Sequence, residues 1–95
     1  MTEVNSQLYV YAGNRLFHEN KLNEALEYYT LAVTLEDDNF MLWYNLGYIQ
    51  YCLGDYKEAK LSFEESIKLN PEFQKAHKTI SVIENLRLYT MDPYS

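Results

Sequence analysis

Residues 40–73 read FMLWYNLGYIQYCLGDYKEAKLSFEESIKLNPEF, and two helical patterns meet in this stretch across a Gly54-Asp55 turn. Trp43, Leu46, Gly47 and Gln50 recur at the i, i+3, i+4, i+7 spacing of one helix stripe. Tyr56, Ala59, Phe63 and Ile67, with Leu69 close by, form a second stripe. Pro71 ends it, because the pyrrolidine ring cannot continue a helix. The small residues decide how the two helices meet. Gly47 and Ala59 leave gaps that large neighbours such as Phe63 and Trp43 can fill, so the helices can cross closely. One helix pair of this length cannot bury its own apolar surface, and it should stack on a copy of itself.

That copy lies immediately upstream. A shift of 34 residues lands on Ser6 to Asn39 without a gap. Leu8 then aligns with Leu42, Gly13 with Gly47, Glu24 with Glu58, Ala25 with Ala59, and Leu35 with Leu69. Conservative matches follow: Tyr9 with Trp43, Phe17 with Tyr51, Tyr29 with Phe63, Ala32 with Ser66, Val33 with Ile67. They fall on the small and large core positions, where a stacked repeat needs them.

A period of 34 residues is the tetratricopeptide spacing, and the chain resembles the tetratricopeptide repeat family. The resemblance rests on W-x-x-L-G (Trp43, Leu46, Gly47), on G-D-Y-x-E-A (Gly54 to Ala59), on Phe63 and on Pro71. The first repeat departs further from the pattern: Tyr9 replaces the tryptophan, Asn20-Lys21-Leu22 replaces Gly-Asp-Tyr, and Asp37 replaces the proline. In the second repeat Gln50 stands where the family usually has an aromatic. The resemblance implies an all-α fold, a short right-handed α-solenoid of two helix-turn-helix repeats plus a capping helix, five helices in total. Repeat one spans 6–39, repeat two 40–73 and the capping helix 74–89, within a single domain over 1–89. Residues 90–95 read as a short flexible tail.

Local signals agree with these bounds. Asn5 or Ser6 can cap the first helix, which is expected to run to about His18. Asn20 suits a left-handed turn residue, and the second helix should cover Leu22 to Leu35. Asp37-Asp38-Asn39 makes the inter-repeat turn, and its acids suit the N-terminus of the next helix. In the fifth helix Ala76, Ile80 and Ile83 form an apolar stripe, while His77, Ser81 and Glu84 stand where Trp43, Gly47 and Gln50 stand in repeat two. That polar outer side is what the last helix of a stacked array needs for solubility.

Composition excludes several classes of function. Three glycines and two prolines, with no period-two alternation, argue against a sheet. The formal net charge of −6 argues against nucleic acid or an anionic membrane as partner. No apolar run approaches eighteen residues, so membrane insertion is not expected, and no charged-then-apolar leader opens the chain. A single cysteine forbids an internal disulfide and suits a reducing, cytoplasmic setting.

No catalytic constellation is legible. His18 and Cys52 occupy equivalent places in the two repeats, but a thiol nucleophile needs its base within hydrogen-bond reach and a third, orienting group. Neighbouring helix axes stand about 8–10 Å apart. Paired Cys/His spacing of a metal site is absent, as are phosphate-binding glycine loops, so no cofactor and no metal are expected.

A binding face is better supported. In arrays of the resembled family the first helix of each repeat lines the concave surface. The residues expected there are Gln7, Val10, Tyr11, Asn14, Phe17 and His18; then Met41, Tyr44, Asn45, Tyr48, Tyr51 and Cys52; then Lys75, Lys78, Thr79, Val82, Asn85 and Leu86. None of the chain's fourteen acids is among them. The expected peptide-binding groove is Tyr11, Asn14, Phe17, Tyr44, Asn45, Tyr48, Tyr51, Lys75 and Lys78, because aromatic residues with few charges are what interface cores are made of. The bland alternative is that some of these rings only fill the space between repeats. Many members of the family hold a chaperone's C-terminal carboxylate in a clamp. Asn14, Asn45 and Lys75 match it, whereas Val10 and Thr79 stand where cations belong.

The reading is thus a non-catalytic interaction module for a protein or peptide partner, as a small chaperone, adaptor or assembly factor. The alternative is a self-associating scaffold, a homodimer through the groove, an array end or the C-terminal tail. A thiol enzyme using Cys52 comes third.

Overall fold

A computed structural model describes residues 5–90, with side chains placed through residue 86. It holds five helices: α1 (Ser6–His18), α2 (Leu22–Leu35), α3 (Phe40–Cys52), α4 (Tyr56–Leu69) and α5 (Gln74–Thr90). There is no strand among the described residues. Each helix packs on its neighbours in chain order, α1 on α2, α2 on α3, α3 on α4 and α4 on α5, giving an all-α helical repeat solenoid. Of the expected tail, only Thr90 is described, and it ends α5; residues 91–95 lie outside the described residues.

The helix ends follow from local chemistry. Asn5 caps α1 by accepting the Leu8 N–H at 3.2 Å, and Asn39 caps α3 by accepting the Met41 N–H at 3.0 Å. The two intra-repeat turns share one geometry. Asn20 (φ 62°) and Gly54 (φ 81°) are left-handed. The next N–H folds back over the helix end, from Lys21 to the Leu16 carbonyl at 2.8 Å and from Asp55 to the Gln50 carbonyl at 2.9 Å. Asn is among the few side chains that tolerate this backbone region, which is why it can stand in for the glycine. Asp37 and Asp38 form the exposed inter-repeat turn just ahead of α3, whose first turn holds no acid, and Asn39 makes the cap.

The two helices of each repeat meet ring on glycine. A Cβ built on Gly47 would lie 2.8 Å from two carbon atoms of the Phe63 ring, and one on Gly13 would lie 2.9 Å from the Tyr29 ring. Phe63 is 0% exposed, so it has no space into which to retreat. Around these contacts lie two core clusters. One joins Ala25, Tyr29, Ala32, Val33, Leu42, Leu46 and Ile49; the other joins Ala59, Phe63, Ala76 and Ile83. The expected stripe Ala76, Ile80, Ile83 does pack on α4, with Ile80 only partly buried.

Equivalent places in the two repeats are held by opposite chemistry. At the first inter-repeat joint the Ser6 hydroxyl and the Asn39 amide (3.1 Å) both donate to the Glu36 carboxylate. Thirty-four residues on, the corresponding places are Phe40, Asn70 and Phe73, and the joint is an edge-on pair of rings, Phe40 and Phe73, 5.0 Å apart. Conversely, Leu16 and Tyr28 become Gln50 and Ser62, whose hydroxyl donates to the Gln50 side-chain oxygen at 2.6 Å. Gln50 is tolerated where an aromatic is expected because Ser62 satisfies it. His77 also does more than solvate the array. Its Nε2 lies 2.7 Å from the Pro71 carbonyl, the place where Trp43 Nε1 donates to the Asp37 carbonyl at 2.8 Å.

Two measurements check this packing. Gly47→Ala gains about 1 kcal/mol of helix propensity but overpacks a ring that cannot move, at about 1–3 kcal/mol. We expect a net loss, a melting temperature lower by roughly 4–8 °C per kcal/mol, and partial recovery when Phe63→Leu is added. The second concerns acid. Hydrogen bonds from Ser6 first and Asn39 second lower the Glu36 pKa below its ordinary 4.5. A depressed folded pKa gives stability that is present above the unfolded value and lost as pH falls through the folded one. Thermal melts of Glu36→Gln should therefore decline less than those of the unaltered protein from pH 4.5 downward.

Candidate functional site

The stripe of α3 opposite its packing face, together with the matching side of α1, encloses a cleft of about 400 Å³ lined by Asn14, Phe17, His18, Tyr29, Tyr44, Asn45 and Tyr48. Phe17 in the last turn of α1 reaches across to Tyr48, ring centroids 5.9 Å apart, and Tyr48 lies 6.2 Å from Tyr44. Tyr29 forms the floor, its hydroxyl donating to Asn14 Oδ1 at 2.5 Å. No Asp, Glu, Lys or Arg lines the cleft. Its chemistry is that of aromatic faces with two amides and one imidazole.

Five of the nine expected groove residues come together here: Asn14, Phe17, Tyr44, Asn45 and Tyr48. Tyr51 sits at one side, linked to Tyr48 at 6.5 Å and to Tyr56 at 5.6 Å. Tyr11 projects into solvent at 67% exposure, outside the cleft wall. Lys75 and Lys78 are exposed on α5, do not line the cleft, and make no ion pair among the described residues. Tyr44 serves both packing and cleft. Its ring lies against Phe63 (5.5 Å) and Phe73 (5.1 Å). Burial, with Tyr48 beside it, pushes the Tyr44 phenol above its ordinary pKa. Tyr48 is the freer ring, 40% exposed. The alternative of rings filling space between repeats therefore holds for Tyr44 and Tyr51 in part.

Tyr29 is the residue the helix pattern places only in the core. The signal was a hydroxyl where repeat two has Phe63, because a buried Tyr O–H needs a partner. His18 lines the cleft and packs edge-on against Phe17 at 5.9 Å, whereas Cys52 lies outside it. Desolvation raises the Cys52 thiol pKa, the reverse of what a thiolate nucleophile requires.

A larger cleft of about 840 Å³ lies on the other side of α3, lined by Trp43, Leu46 and Gln50 with Glu58, Glu64 and Glu65. Size favours it, but chemistry favours the smaller one. Charged groups such as Glu65, already paired with Lys68 at 2.9 Å, are costly to desolvate under a partner, while exposed tyrosines are not.

A family model described as tetratricopeptide repeat matches residues 40–78, and a second, described as TPR repeat, matches residues 13–54. Protein O-mannosyl-transferase TMTC1 of Mus musculus is 33% identical over 84 residues, which cover 88% of this chain and 9% of that protein. Photosystem I assembly protein Ycf3 of Synechococcus elongatus is 36% identical over 66 residues, 65% of this chain and 38% of that protein. The chain thus spans under a tenth of the transferase and well under half of the assembly protein. Among solved structures, the second TPR of Spaghetti (RPAP3) bound to the HSP90 peptide SRMEEVD superposes with a TM-score of 0.82 at 23% identity, covering 86% of this chain and 76% of that one. The likeness is one of fold.

Proposed function

We propose that this chain, which belongs to the tetratricopeptide repeat family, works as a non-catalytic protein–protein interaction module. It holds an extended or helical peptide, apolar or aromatic in character, in the cleft between α1 and α3. The observation that carries this reading is the charge-free aromatic lining in a chain of net charge −6. Exposed Tyr48 beside Asn45 offers a large ring and an amide, the combination typical of binding hot spots. A neighbour of the same fold with a bound peptide, and a relative named as an assembly protein, support a role as adaptor, chaperone or assembly factor.

An acidic C-terminal peptide such as SRMEEVD fits this cleft less well. Asn14, Asn45 and Lys75 occupy clamp places, but Val10 and Thr79 bring no cation, and Lys75 stands outside the cleft. Each missing charge-assisted hydrogen bond forfeits about 1.5–3 kcal/mol.

The test is affinity capture from a lysate with Asn45→Ala/Tyr48→Ala as control. The double variant should keep its helicity, melt lower by no more than about 4–8 °C, and lose its partner by about 30-fold or more, the effect of removing a hot-spot side chain. Unchanged capture removes the cleft from the function.

Self-association is the second reading, favoured by a specific surface. Leu8 (51% exposed) and Leu35 (54% exposed) stand open at the α1–α2 end, whereas Leu42, the equivalent of Leu8, is buried under α2. Sedimentation that shows only monomer at high micromolar concentration would discard it.

A further inference from the structure

The floor of the cleft differs between the two repeats by one hydroxyl. Tyr29 and Phe63 are equivalent, and each lays its ring on the glycine of the preceding helix. Tyr29 adds a phenol, buried with its ring, that donates to Asn14 Oδ1 at 2.5 Å. Burial also raises its pKa, so through the neutral range it remains a donor. A side-chain amide carries one acceptor oxygen and one donor NH₂ group. The bond from Tyr29 engages the oxygen end of that amide. Asn14 Nδ2 makes no hydrogen bond among the described residues, and Asn14 lines the cleft.

We propose that Tyr29 is a positioning residue: it locks the Asn14 amide so that the cleft presents an N–H donor, and the ligand answers with the backbone carbonyl of an extended peptide segment. This rests on the cleft being the binding site. An internal carbonyl is the acceptor rather than a terminal carboxylate, because no Lys or Arg lines the cleft to neutralise a charge. Repeat two has no counterpart, since Phe63 has no hydroxyl and Tyr48 stands at the place of Asn14. The held amide therefore belongs to the α1 wall of the cleft.

The experiment selects peptides from a random library displayed without a free C-terminus and keeps those whose binding is lost in Asn45→Ala/Tyr48→Ala. Their affinities are then measured by fluorescence anisotropy with the C-terminus amidated and free. Tyr29→Phe should fold as the unaltered chain does, since Phe63 shows that a phenyl ring fills the same place over a glycine. It should bind about 3- to 10-fold more weakly, the worth of one neutral hydrogen bond, and the Asn14 side-chain NH₂ resonances should shift towards those of a solvated amide. Asn14→Asp keeps the bond from Tyr29 but replaces the donor by an acceptor, and should lose about tenfold or more; it carries the test if Tyr29→Phe fails to fold. Equal affinity for the amidated and free peptides identifies the internal carbonyl. A marked preference for the free carboxylate, or unchanged binding by Tyr29→Phe or by Asn14→Asp, overturns the proposal while leaving the cleft as the site. A library yielding no peptide sensitive to Asn45→Ala/Tyr48→Ala overturns the cleft reading as well.

Discussion

The contact of an aromatic ring with a glycine backbone governs this protein. Tyr29 on Gly13 and Phe63 on Gly47 set how closely the two helices of each repeat approach, at a separation that any Cβ on the glycine would violate. Close approach has further effects. It seats Ala25 and Ala59, both 0% exposed, against the partner helix, and it turns the opposite stripe of α1 and α3 outward as paired walls. Interiors packed at crystal-like density transmit such a constraint instead of absorbing it. The geometry of the cleft is thus a consequence of the geometry of the core.

Around that fixed contact, the chain solves equivalent problems by different chemistry. A carboxylate held by two donors closes the first joint, and two edge-on rings close the second. Leu16 and Tyr28 give way to Gln50 and Ser62, and the indole of Trp43 gives way to the imidazole of His77. Each exchange preserves a partner for every buried polar atom, and none remains unsatisfied among the described residues. The ring-on-glycine contact, by contrast, recurs in kind in both repeats.

The fold was legible because its signals are local or periodic. Gly54 and Asn20 announce left-handed turns, Asn5 and Asn39 announce caps, and a 34-residue offset aligns small residues with small and rings with rings. The site was half legible. The family resemblance put Asn14, Phe17, Tyr44, Asn45 and Tyr48 on one concave face, and the structure encloses them in one cleft. Spacing could not separate Tyr48, which is 40% exposed, from Tyr44, which is pressed between Phe63 and Phe73. Nor could it show that Lys75 and Lys78 stand away from the cleft, because side-chain reach across helices depends on crossing geometry.

By itself, the sequence determined the number of helices, their turns and the residues that pack. These depend on backbone preference and on the 3.6-residue period, both of which act within a few neighbours along the chain. Tertiary structure alone decided which polar groups meet: Tyr29 with Asn14, Glu36 with Ser6, Gln50 with Ser62. Hydrogen bonds are directional and are made or lost within a few tenths of an ångström. Their pairing is settled only when the helices have crossed, and with it the orientation of the amide that faces the cleft.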